Sequence, residues 1–104
     1  MKVLALAVAG WACGALYGQS ADSLTPAAEQ ALVTKYCAGC HNDKLKSGGF
    51  SWNTIDLTHA ERNAAQVEKV ARFLRAGMMP PPGIPRPDAA TNKNFAASLE
   101  NAID

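Results

Sequence analysis

Cys37-Ala38-Gly39-Cys40-His41 is the stretch on which the reading of this chain turns. Two cysteines separated by two residues, with a histidine directly after the second, form the C-x-x-C-H pattern of c-type haem attachment. In that chemistry each residue type has its own task. The two thiols add across the two haem vinyl groups, and the short spacing lets both sulfurs reach them from one helical turn. The imidazole of His41 then lies under the iron as its proximal ligand. Ala38 and Gly39 are small, which keeps the turn clear of the porphyrin edge.

Other chemistries use the same pair of cysteines. A zinc half-site needs a second pair of ligands, and only Cys13 and His59 remain to supply one. A thioredoxin-like dithiol sits beside a βαβ pattern, which this sequence lacks. A disulfide between Cys37 and Cys40 would close a very small loop. Haem attachment is the expectation that needs the fewest additions.

Working outward, the 104 residues suit a single domain, and the net charge of +1 gives no reason to expect nucleic acid as a partner. Alanine is plentiful and aromatics are sparse, which favours helices. A domain of this size has a small core, and a covalent haem would add the apolar body that its side chains do not.

Residues 1–21 read as a secretory signal peptide, leaving 22–104 as the mature domain. Lys2 is the basic start, Val3 to Ala12 the apolar run, and Gly18-Gln19-Ser20 the small-residue cleavage site. The apolar run is short for a membrane span. A membrane link is expected only if the leader is uncleaved or Cys13 is lipidated. Export to the periplasm or beyond agrees with haem attachment, which bacteria carry out outside the cytoplasm.

Three main helices are expected. Thr25-Pro26 starts the first, Thr as N-cap and Pro at the first helical position. Ala28, Leu32 and Tyr36 make its apolar face, and Glu29 suits the positive end of the helix dipole. Asn42 to Gly49 reads as loop, with Lys44 and Lys46 as solvated charges. Phe50 and Trp52, with Leu45 and Ile55, are expected to wall the haem pocket. A second helix starts with a capping box, Thr58 to Glu61, runs to about Ala76 and stops at Gly77. Ala60, Ala64, Val67, Val70, Ala71 and Leu74 form its buried face. The last helix is capped by Asp88 or Thr91, buries Phe95, Leu99 and Ile103, and is expected to cross the first near Tyr36 and Leu32.

Met78-Met79-Pro80-Pro81-Pro82-Gly83 is the second informative stretch. A thioether is a soft ligand suited to haem iron. A proline run holds an extended backbone and can press a neighbouring side chain onto the iron. Met79, next to the prolines, is the expected distal ligand, with Met78 as the alternative. His59 could ligate instead, although a surface position suits it better.

Taken together, the leader, the C-x-x-C-H helix end, the Met79-Pro80-Pro81 segment and a closing helix resemble a small class I bacterial cytochrome c. The nearer resemblance is to the cytochrome c module at the N-terminus of large planctomycete-type proteins. Those modules carry a YCxxCHN segment, a GG loop and a GxMPPPGxPRPD segment before a helix. Tyr36 to Asn42, Gly48-Gly49 and Gly77 to Asp88 match these. The Gly-Pro segment that supports the proximal histidine in many class I cytochromes is not evident after His41, so its hydrogen-bond partner is unassigned.

The resemblance implies an all-α fold around one haem c, held by Cys37 and Cys40 and ligated by His41 and Met79. It implies single-electron transfer to redox partner proteins rather than an enzyme. Two alternatives stay open. One is a haem enzyme or gas sensor with an open distal site. The other is an electron-entry module of a larger oxidoreductase of which this chain is a fragment.

Overall fold

The structure is a computed structural model that describes residues 9–10 and 24–104. Apart from residues 9 and 10, the expected leader, Cys13 included, lies outside the described residues. Among these the secondary structure is helical, with no strand. Three α-helices carry the fold: α1 (Pro26–Tyr36), α2 (Ala64–Arg75) and α3 (Ala89–Ile103). Short 3₁₀ turns lie between α1 and α2, the longest spanning Leu57–Asn63.

The caps of α1 and α3 follow from their sequences. Thr25 accepts a hydrogen bond from the Ala28 amide, with Pro26 beside it at the first helical position. Asp88, rather than Thr91, caps α3 and accepts from the Thr91 amide at 2.7 Å. The start of α2 departs from the expected capping box. Asp56 takes the capping role, accepting from both the amide and the hydroxyl of Thr58. This local net competes with an α-helical turn. His59 sits outside helical geometry at φ −138°, and regular α-helix begins only at Ala64.

The core lies where α2 and α3 meet. Val67, Ala71 and Leu74 of α2 are buried with Phe95, Ala96 and Leu99 of α3, and Val33, Trp52, Ile55, Leu57 and Ala60 join them. Complete burial of side chains such as Leu99 and Phe95 contributes roughly 1.5–3 kcal/mol each. Arg75 and Glu100 brace the outside of the α2–α3 pair with a two-pronged ion pair. The sequence reading sets α3 across α1, but the main partner of α3 is α2. Helix α1 rests on the 3₁₀ segment, and its lead-in reaches α3 where the Leu24 amide donates to Ser98 Oγ.

The face that α1 buries also differs from expectation. Ala28, Leu32 and Tyr36 are half-buried, whereas Glu29 and Val33 are the buried residues. Glu29, Val33 and Cys37 follow one another at intervals of four and so share one side of the helical path. Turning Cys37 inward carries Glu29 in with it. Glu29 is 4% exposed, its Oε2 has no hydrogen-bond partner, and burial raises its carboxyl to about 7.

Candidate functional site

Helix α1 ends at Tyr36, and the C-x-x-C-H residues form the turn that follows. The amides of Cys40 and His41 both point back to the Cys37 carbonyl, at 3.3 and 3.0 Å. The chain then doubles back on this turn. The Ser47 amide donates to the Cys40 carbonyl at 3.1 Å, and the Trp52 amide to the His41 carbonyl at 2.9 Å. Asn42 fastens the two halves. Its Nδ2 donates to the Ala38 carbonyl at 2.7 Å and to that of Gly39 at 3.3 Å. Its Oδ1 accepts from the amides of Lys44 and Leu45 at 3.0 and 2.9 Å. The sequence reading placed Asn42 in plain loop; its ability to mimic a backbone turn is the signal that was there to use.

At the other end, α2 closes with a Schellman motif. Gly77 adopts φ +68°, its amide bonds to the Leu74 carbonyl, and the Met78 amide reaches the Phe73 carbonyl. This turn sends Met79-Pro80-Pro81 back past the end of α2. Met79 faces a cavity, and Met78 faces outward at 55% exposure.

The cavity has a volume of about 560 Å³, within the range of small-molecule and cofactor sites. One wall is the attachment turn, with Cys37, Cys40 and His41, continued by Ser47 to Phe50 and Trp52. The facing groups come from α2 (Gln66, Lys69, Val70, Phe73, Leu74), from Met79-Pro80-Pro81 and from Phe95. The lining is mostly apolar. Rings run from the site into the core: His41 to Phe50 at 5.5 Å, Phe50 to Trp52 edge-on at 5.3 Å, and Trp52 stacked near Phe95 at 6.2 Å.

All four residues singled out from sequence, Cys37, Cys40, His41 and Met79, line this one cavity. Two expected wall residues do not. Leu45 is 65% exposed, because the Asn42-centred turn carries it outward, and Ile55 is buried in the core away from the lining. His59 is exposed, outside the lining, with its Nδ1 3.2 Å from Glu61 Oε1. Gln66 and Phe73 are lining residues that the sequence reading assigned no role, and Lys69, read as part of the polar side of the helix, also borders the cavity.

The donor set can be tested against the group it would hold. Cys37 and Cys40 are both free thiols, and burial pushes the Cys37 thiol up to about 11. A thiol so shifted is protonated at neutral pH. Among the described residues, no group of three or more His, Cys, Asp or Glu side chains could hold a metal ion. His41 Nδ1 is buried and has no hydrogen-bond partner. Gly48, at φ +66°, packs close to the ring: a Cβ there would lie 4.0 Å from His41 Cε1. A sulfur pair, an imidazole and a thioether around an apolar cavity of this size fit a haem joined through Cys37 and Cys40.

No family model, curated protein or solved structure matches the chain. Among the described residues, no helix is long and apolar enough to cross a membrane.

Proposed function

We propose that this chain is a mono-haem c-type cytochrome domain of the class I kind, exported from the cytoplasm, that passes single electrons between redox partner proteins. The observation that carries the reading is the convergence of the Cys37, Cys40 and His41 turn with Met79, distant from it in sequence, on one mostly apolar cavity. The haem, when bound, supplies the one-electron chemistry at its iron. Cys37 and Cys40 anchor it covalently. His41 offers its imidazole from the attachment wall and Met79 its thioether from the proline-rich wall, which supports His/Met ligation and a raised reduction potential. The apolar walls, with Phe50, Trp52 and Phe73, would shield the bound group from water on the sides they cover. Carrier chemistry is favoured over a haem enzyme or gas sensor because those require an open distal position. His59, the spare histidine for a distal acid–base role, is exposed and outside the lining.

The test is expression with export and haem-maturation machinery, followed by haem staining after denaturation and by spectra of both oxidation states. Covalent stain, lost in the Cys37→Ser/Cys40→Ser double variant, is expected. So is a low-spin spectrum with the weak far-red sulfur-to-iron band in the oxidised form. A high-spin spectrum that shifts with carbon monoxide would move the enzyme or sensor reading ahead. Absence of haem despite working maturation machinery would sink the proposal.

A further inference from the structure

The segment 79–87 contains five prolines, none of which has an amide hydrogen to give. Among the described residues, no member of the segment makes a backbone–backbone hydrogen bond outside helices. Among the described residues, the side-chain hydrogen bond that ties it down is Arg86 Nη2 donating to the Gly77 carbonyl at 3.0 Å. That bond joins the two ends of the excursion that carries Met79. Gly77 is the left-handed residue that closes α2, and Arg86 lies just before Asp88, the cap of α3. The guanidinium packs closely there, since a Cβ on Gly77 would meet Arg86 Nη2 at 3.6 Å. Arg86 stands between Pro85 and Pro87, so its backbone has little freedom to lose in making the bond.

We propose that Arg86 is the positioning residue that clasps the Met79 segment over the cavity, so that the Arg86–Gly77 bond sets how often the thioether leaves the iron. The inference rests on reading Met79 as the second axial ligand. With the clasp made, the segment's ends are fixed and proline stiffness holds Met79 inward. With it broken, the segment keeps its proline stiffness and its anchor at Gly77 but loses the tie at its far end, and the distal position opens more often.

The experiment measures imidazole binding to the oxidised, haem-loaded protein at pH 8, where the probe is mainly neutral and an altered surface charge does not steer it. Arg86→Ala should bind imidazole about 5-fold more tightly, the ordinary net worth of one solvent-exposed hydrogen bond. It should keep the far-red band in the absence of imidazole, and its folding equilibrium constant from urea titration should fall by no more than that same factor. Arg86→Lys should recover part of the difference. Met79→Ala sets the upper limit of affinity and lacks the band. Equal affinity in Arg86→Ala and the parent, with Met79→Ala much tighter, overturns the clasp and leaves the ligand in place. A parent that lacks the band and binds imidazole as tightly as Met79→Ala overturns the ligand reading and the clasp with it.

Discussion

The wall of the cavity that carries His41 is tied to itself many times over. Asn42 alone makes four side-chain hydrogen bonds, and the chain pairs back on the turn at Cys40 and His41. Among the described residues, the wall that carries Met79 is tied by the Arg86 side-chain hydrogen bond and owes its shape to prolines and to the Schellman turn at Gly77. The first wall is rigid through bonds formed on folding. The second is stiff because the unfolded chain has already lost part of its freedom. On the proposed reading, a covalent anchor would need fixed geometry at every moment, whereas a thioether ligand would need only to return to the same place, and the two constructions would suit those two demands.

The sharpest way to break the comparison is at Met79. Met79→Ala is expected to abolish the far-red band of the oxidised protein while leaving covalent haem, and Met78→Ala to leave both unchanged. Optical spectra of the two variants decide it, and persistence of the band in Met79→Ala would remove the proline wall from the site. Next in size is Glu29→Gln, which alters a buried residue of α1, the helix that leads into the His41 wall. The Glu29 carboxyl is raised from 4.5 to about 7 on folding, so the folded protein binds more protons between those values. Stability is therefore greatest below the unfolded value and is lost as pH rises through about 7. Glu29→Gln should flatten that slope and gain up to roughly 3 kcal/mol at pH 8 relative to pH 4. Urea titrations across this pH range check it.

Asn42→Ala removes the fastening of the His41 wall and should cost about 1–2 kcal/mol in a urea titration. Pro82→Ala, on the other wall and outside the lining, should cost less, about 0.4–1 kcal/mol, and chiefly through a freer unfolded chain. If Pro82→Ala proved the more damaging of the two, the contrast between a bonded wall and a pre-stiffened wall would fail.

Much of this architecture is local chemistry and can be read without coordinates. Thr25-Pro26 and Asp88 act as caps because each carries an oxygen suited to an orphan helical amide. Phe95 and Leu99 are buried because their spacing leaves them one face to share. Met79 lines the cavity and Met78 does not, in line with the order of residues before the prolines. What was not legible depended on distant parts of the chain. Glu29 looks like a surface residue at a helix start until Cys37, two turns on, has to face inward. The start of α2 slipped to Ala64 because Asp56 and Thr58 satisfy each other first. The part played by Arg86 depends on a carbonyl nine residues away.

Trp52 gives the domain an optical property of its own. Its indole is 6% exposed, lines the cavity and lies between Phe50 and Phe95. Trp11, the second tryptophan of the sequence, falls in the expected leader, so Trp52 would be the one source of tryptophan emission in a processed chain. A strongly absorbing ring system seated against that indole takes up its excited-state energy. The intrinsic fluorescence of the domain should therefore be dark when the cavity is filled and bright when it is emptied or unfolded, a built-in lamp for following cofactor loading in real time.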